Sequence, residues 1–592
     1  MNKVHRRTYG WVQNPSNFEN LKLVVQIFDS STAHYKALRD DLVCRLIPFI
    51  DLRNQLHDKL LNCTETFTYK ELVGTSKDKN NETPKRRSDA VADGLIQVTI
   101  LPQNHKTTGK EWTDNWTSDG YLRWALSLGL VTHNRATDTC SLTETGREFA
   151  QSEKSPEEDQ TLIDSLLAYP PAIRILQLLD ESRKPVNKFY LGSNLGFKGE
   201  RGFTSYEDAT MRDWLKLSTS KEEQTKIRSD IEGTADKYAR GIASWLEKLG
   251  FVVSHSTTIQ TSLGVCAGFR EFSITAKGRH ALRRSKGSSK NRRIPKYVNW
   301  EFLAIDGNTD EEKQRKDYVR TRRAHIIEIL STTKSFKNLM TRLKSLGFHD
   351  SETVVRADIE GLQGIGISVI TSGNSVTLKD TIKGLDIPPL GVTPERQRTI
   401  HDKRKEKIME RTSLPLKFYE LYDIAFDPKR SRDFEILTVE LFKLATNTNA
   451  RVLGGSLRPD GIVYQQADGQ SPGIIIDTKA YADGYSKIKS QEDEMVRYIE
   501  DNQFRDPKRN PTKWWESFPK TISPKNTTFL WVSSTFTGAF DEQLKSTYHR
   551  TNANGGAVAV DQLLIGVDKV CRGELTSEEL FDSLKRNQIA TF

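Results

Sequence analysis

The chain has 592 residues, 36% of them apolar and 28% charged, and a net charge of +10, a balance that excludes wholesale disorder and favours about four modest domains over one large core. No stretch approaches the ~18 apolar residues of a membrane span, and no apolar run follows the basic residues of MNKVHRRTYGWVQN, so neither a membrane anchor nor a secretory signal is expected. Residues 401–592 hold 28 of the 88 basic and 28 of the 78 acidic side chains, so the whole basic excess lies in the first 400 residues and polyanion binding is expected there.

In chain order, an internal repeat comes first. RWALSLGLV (Arg123–Val131) and CSLTETGREFA (Cys140–Ala150) recur as SWLEKLGFVV (Ser244–Val253) and FSITAKGRHAL (Phe272–Leu282), with a longer middle segment in the second copy. Each copy reads as an amphipathic helix ended by a glycine, a strand, a hairpin, a second strand and a short helix, the pattern of a winged helix-turn-helix module. A weaker third copy has helices around Arg323–Leu330 and Asp358–Gln363, then the hairpin ISVITSGNSVTLKD (Ile367–Asp380) with Gly-Asn at its turn. Winged helices bind either DNA or other proteins; the basic excess favours DNA. The run Lys277–Lys296 has nine basic residues and no acid, and its purity of sign favours nucleic-acid contact over a merely solvated linker. LDIPPLGVTPERQ (Leu385–Gln397) reads as a linker. A charged helix, His401–Thr412, then opens a neutral domain of alternating helical and strand-like segments, as in an α/β layer structure. The five cysteines, Cys44, Cys63, Cys140, Cys266 and Cys571, are scattered without a CxxC pair, which argues against disulfides or structural zinc and for a reducing compartment.

The neutral domain carries RPDGIVYQQADGQSPGIIIDTKAY (Arg458–Tyr481). GIVYQQ reads as a strand, ADGQSPG as a turn and IIIDTKA as a buried strand. Antiparallel pairing brings Asp460 beside Asp477 and Lys479, which share one strand face. Two carboxylates can hold Mg²⁺, which keeps waters and takes a phosphate oxygen. The ion would acidify a bound water, and the ammonium would stabilise negative charge, so the set suits phosphodiester hydrolysis. A buried strand ending in charge needs paired or liganded charges, which strengthens an otherwise common pattern. On the upstream helix DFEILTVELFKLA (Asp433–Ala445), Glu440 is either a third acid near the metal or an ordinary solvated position.

Nine ordered blocks together resemble the FokI family of type IIS restriction endonucleases over nearly the whole chain. They are YGWVQNP (Tyr9–Pro15), YKELVGTS (Tyr69–Ser76), DNWTSDGYLRWA (Asp114–Ala125), YPPAIRIL (Tyr169–Leu176), DKYAR (Asp236–Arg240), YVRTRRA (Tyr318–Ala324), LGGSLRPDG (Leu453–Gly461), DTKAYADGY (Asp477–Tyr485) and DEMVRYIEDNQ (Asp493–Gln503). The resemblance implies three winged-helix-related, mainly helical α+β recognition subdomains at 1–155, 156–295 and 296–384. A linker at 385–400 and a C-terminal α/β PD-(D/E)xK nuclease domain at 401–592 would follow.

The resemblance further implies that the N-terminal part reads the asymmetric sequence GGATG and that the last domain cuts both DNA strands a fixed distance downstream with Mg²⁺. Asp460, Asp477 and Lys479 match the family's catalytic set. Gln13 and Asn14 match an N-terminal arm, Gln103 and Trp116 contacts of the first subdomain, and Glu232, Lys237 and Arg240 contacts of the second. These residue types suit base edges: Lys and Arg donate to guanine, Glu accepts from cytosine, and Asn or Gln pairs with adenine. Ser229 stands where the family has an asparagine, so an isoschizomer and a changed readout at one base pair both stay open. Asp493 and Arg497 match a dimerisation helix, where they pair across a two-fold axis; otherwise they form an intrahelical ion pair. A monomer that dimerises transiently on double-stranded DNA, bacterial and cytoplasmic, is the expectation. A winged-helix DNA-binding regulator with an inactive nuclease-like domain is the alternative, and a protein-interaction scaffold a third reading.

Overall fold

The computed structural model describes the chain outside residues 1–4, 8, 204–205, 230–236, 288–292, 306, 308, 391–398, 466–470 and 487. The two matched blocks of the repeat fold alike. In the first, helix α1 (Asn115–Ser127) starts on Asp114, whose carboxylate accepts from the Thr117 amide at 2.7 Å. It stops at Gly129, φ +71°, a left-handed position that glycine adopts without a Cβ penalty. Strand β1 (Thr66–Thr68) pairs with β3 (Thr139–Leu142), which also pairs with β2 (Val131–Asn134). Helix α2 (Glu144–Gln151) closes the unit.

The Thr143 hydroxyl caps α2 by accepting from the Gly146 amide at 3.0 Å and donates back to the Gly129 carbonyl at 2.7 Å. The second copy repeats this circuit. Thr275 accepts from Gly278 at 3.0 Å and donates to Gly250 at 2.7 Å. A Cβ on Gly146 would lie 1.9 Å from the Leu130 carbonyl oxygen, and one on Gly278 would lie 2.1 Å from that of Phe251. The shared TxxG therefore marks a close backbone approach. The repeat-related tryptophans, Trp124 and Trp245, stack on each other with centroids 4.7 Å apart.

In the second subdomain, helices α3 (Asp208–Leu217) and α4 (Lys221–Ile227) precede α5 (Lys237–Lys248). Strands β4 (Val252–Thr261) and β5 (Gly264–Ile274) form the enlarged wing, and α6 (Ala276–Lys286) follows. The third subdomain contains α7 (Asp310–Leu330), α8 (Phe336–Ser345), α9 (Glu352–Gly364) and the hairpin β6 (Val369–Ser372)–β7 (Ser375–Leu378). Leu385, Ile387 and Leu390 pack against the recognition core and Arg135 pairs with Asp386. The first part of the expected linker thus belongs to the recognition body.

After α10 (Ile400–Arg411) and α11 (Ser431–Phe442) comes a six-stranded sheet. Its order is β8 (Thr448–Val452), β9 (Gly461–Gln465), β10 (Gly473–Lys479), β11 (Thr527–Ser533), β12 (Gly555–Ala559) and β13 (Ile589–Ala590). The first two pairings are antiparallel and the other three parallel. Ile474 and Ile476 face a core with α11 and α14 (Val560–Cys571), while Ile475 faces a core with α12 (Lys489–Phe504) and α13 (Phe540–Thr551). Burial on both faces explains why GIII is uniformly apolar. Among the described residues no single helix is long and apolar enough to cross a membrane.

The α/β domain is docked on the recognition region. Met211, Trp214 and Leu215 of α3, with Ile259 and Phe269 of the wing, form one core with Ile436 and Val439 of α11 and Val452 of β8. The Trp214 indole donates to the Val452 carbonyl at 2.9 Å. On a second contact, α10 meets the third subdomain: the Ser351 amide donates to Glu406 at 2.6 Å, and Arg315 pairs with Asp402.

Candidate active site and nucleic-acid interface

The β9–β10 pairing sets Gly461 opposite Ile476, so Asp460, just before β9, lies beside Asp477 near the end of β10. One Asp460 oxygen accepts from the Thr478 amide at 2.7 Å and from its hydroxyl at 2.8 Å. Lys479 Nζ lies 2.7 Å from Asp477 Oδ2. The two carboxyl groups are within hydrogen-bond reach. The structure thus brings Asp460, Asp477 and Lys479 together at one sheet end.

The electrostatics follow from burial. Desolvation pushes the Asp477 carboxyl up to about 7, Lys479 opposes this, and the Asp460 charge adds to it. Burial alone would lower the Lys479 ammonium, but Asp477 and Asp460 hold it above its ordinary value. Asp477 is buried with the Lys479 ammonium on its Oδ2, and the Asp460 carboxyl beside it completes a pair of convergent acids that suits a cation. No group of three His, Cys, Asp or Glu side chains among the described residues could hold a metal alone. An ion here would draw its remaining ligands from water and substrate, a donor set that fits Mg²⁺.

Glu440 takes no part in this cluster. It is buried on α11, where it accepts from Lys417 at 3.3 Å and from the Thr210 hydroxyl of α3 at 3.4 Å. Both suggestions for it, third acid and solvated position, are therefore corrected: it is a docking residue. The acid beside the pair is Glu435. Burial pushes its carboxyl up to about 8, with the charges of Asp460 and Asp477 adding to the effect, and it is paired with Arg432 at 2.5 Å. Five residues along an α-helix turn the side chain by about 140°. The helical period, anchored on the apolar Phe434, Leu437 and Leu441, was the signal that separates the two.

In the recognition region, the N-terminal arm lies across both repeat helices. Gln13 donates to the Tyr238 hydroxyl of α5 at 3.3 Å. Its carbonyl stands 3.3 Å from where a Cβ on Gly241 would be, and the Pro15 ring stands 3.4 Å from such a Cβ on Gly120 of α1. The Trp245 indole donates to the Pro15 carbonyl at 2.7 Å. Asn14 and Arg240 are exposed near this junction. Trp116, on the first turn of α1, is 54% exposed, an unusual state for tryptophan, with the Arg87 guanidinium 5.3 Å from its ring. Gln103 is exposed, and so is Ser229 just beyond α4. Glu232 and the Lys237 side chain lie outside the described residues, as do residues 288–292 of the basic run and 391–398 of the expected linker.

On α12, Asp493 pairs not with Arg497 but with Arg550 of α13, at 2.7 Å. This replaces the intrahelical pair suggested by spacing. Arg497 lies over the Tyr498 ring at 5.2 Å, and its Nε has no hydrogen-bond partner.

Comparisons with known proteins agree on one relationship. Family models match as follows: FokI recognition domain, subdomain 1, residues 7–152; subdomain 2, residues 158–287; FokI D3 domain, residues 311–374; FokI cleavage domain, residues 396–591. The chain is 38% identical to the type II restriction enzyme FokI of Planomicrobium okeanokoites, over 98% of this chain and 99% of the relative. It is 27% identical to the type II restriction enzyme StsI of Streptococcus sanguinis, over 98% and 95%. The solved structure of FokI superposes with a TM-score of 0.86 at 37% identity, covering 99% of this chain and all of the other. FokI bound to DNA superposes with a TM-score of 0.87 at 36% identity, with the same coverage.

Proposed function

The chain belongs to the FokI family of type II restriction enzymes and is a site-specific DNA endonuclease of type IIS, and on that premise we propose that it reads GGATG and cuts both strands of double-stranded DNA at a fixed distance downstream by Mg²⁺-dependent hydrolysis. The observation that carries this reading is the meeting of Asp460, Asp477 and Lys479 where β9 and β10 end. Type II restriction enzymes as a class take a divalent metal cofactor. Asp460 and Asp477 would hold it; when bound it lowers the pKa of a water and neutralises charge on the phosphate. Lys479, kept protonated by its two carboxylates, orients the attacking water and donates to the phosphoryl oxygen as negative charge grows. Glu435 holds a proton or a water at the edge of the same cluster.

For recognition, the arm residues Gln13 and Asn14, Gln103 and Trp116 of the first subdomain, and Glu232, Lys237 and Arg240 of the second make the base and backbone contacts. The support is their residue chemistry and the convergence of arm, α1 and α5. Among the described residues each chain has one such centre, so cutting both strands calls for a second copy. That copy docks through α12, where Asp493 exchanges Arg550 for Arg497 of the second copy; the unpartnered Arg497 Nε supports this.

Incubation with plasmid DNA and Mg²⁺, followed by run-off sequencing of the ends, tests the proposal. Cuts at one offset from GGATG are expected. Specific binding without cutting at any enzyme concentration would leave the inactive-nuclease alternative standing.

A further inference from the structure

Arg458 stands two residues before Asp460, on the loop joining β8 to β9, and is 5% exposed. The loop is closed tightly: the Leu453 amide donates to the Asp460 carbonyl at 2.9 Å, and Leu457 takes a left-handed conformation at φ +63°. Arg458 is therefore held in fixed relation to the carboxylate pair. Yet among the described residues its guanidinium acceptors all belong to the recognition region. Nη1 donates to Glu223 Oε1 of α4 at 3.0 Å and Nη2 to the Leu217 carbonyl of α3 at 3.0 Å. The pair lies over Gly455, where a Cβ would stand 3.5 Å from Arg458 Nη1 and 3.8 Å from Glu223 Oε1.

Parting of the α/β domain from α3 and α4 would take away both acceptors and present the Arg458 donor fork to solvent, free to take another anion. Beside a site that hydrolyses phosphodiesters, the available anion is the DNA backbone. Guanidinium groups bind carboxylate and phosphate through the same planar donor fork. The domain itself has no net positive charge, so its hold on DNA depends on individual cations of this kind. Resting on the endonuclease reading above, we infer that Arg458 binds a phosphate flanking the scissile bond, and that Glu223 occupies the place of that phosphate while the two parts are docked.

The test uses the full chain in single-turnover cutting of plasmid with Mg²⁺, alongside metal-free duplex binding and thermal melting. Glu223→Gln should cut faster than wild type, and Arg458→Ala about 10-fold or more slower with duplex binding retained. Arg458→Lys should recover part of the loss. In the Glu223→Gln background, where the docked pair is already broken, Arg458→Ala should still slow cutting to the same degree. A wild-type rate or faster for Arg458→Ala, as removal of a mere latch would give, overturns the inference. An uncharged methylphosphonate at the flanking phosphate bypasses any folding defect. It should slow wild type about 10-fold and leave Arg458→Ala no slower; equal slowing of both also overturns the inference. Absence of cutting by wild type itself would instead remove the endonuclease reading beneath it.

Discussion

Glu435 and Glu440 share one helix but have different surroundings. One feels two neighbouring carboxylates, while the other is neutralised by Lys417 at the docking surface. Glu435→Gln should therefore lower cutting about 10–100-fold, as loss of a supporting residue at a metal site does, with little effect on DNA affinity. Glu440→Gln should leave the cutting chemistry of bound complexes near wild type and act on docking instead. Single-turnover rates and duplex binding separate these outcomes. Asp460→Ala should lower cutting by at least about 100-fold while metal-free duplex binding stays intact, because the Asp460 carboxylate bonds Thr478 of its own domain and not the arm, α1 or α5.

Among the elements, the TxxG corner is the most demanding feature of the recognition modules. Gly146→Ala puts a methyl group against the Leu130 carbonyl, which should cost about 1–3 kcal/mol and lower both melting temperature and DNA affinity. On α12, Arg497→Ala should leave nicking largely intact but slow conversion of nicked to linear plasmid. Equal cutting of both strands at the wild-type rate would refute the docking role of that helix. Arg550→Ala frees Asp493 and should shift the same conversion to lower enzyme concentration.

For the whole molecule, the two docking contacts differ in chemistry. The contact around Trp214 is apolar, while the contact around α10 is ionic and salt-sensitive. Near the ionic contact, burial alone would raise the Glu200 carboxyl, but Arg323 and Lys316 outweigh it and hold it at about 2. The folded value lies below the ordinary 4.5, so its stabilisation is present in full above that value and is lost as pH falls towards 2. Melting temperature measured between pH 6 and 3 should fall less steeply for Glu200→Gln than for wild type, a difference of order 2 kcal/mol.

Much of this was legible in the sequence because it depends on local rules. Matched glycines and threonines mark the repeat, since left-handed turns and close approaches admit few residue types. The uniformly apolar GIII followed by charge marks a central strand with a site at its end, and two-residue alternation places Asp477 beside Lys479. Which glutamate joins them was also written in the helical period, which sets Glu435 and Glu440 about 140° apart around the helix. Only the tertiary structure decided which charges meet across long separations: Arg458 with Glu223, Asp493 with Arg550, Glu440 with Lys417 and Thr210. Local propensity sets a residue's direction from its own backbone, but an ion pair depends on where a second, distant backbone arrives, and that is settled by how apolar faces pack: α3 on α11 at the docking surface, and α12 beside α13 within the α/β domain.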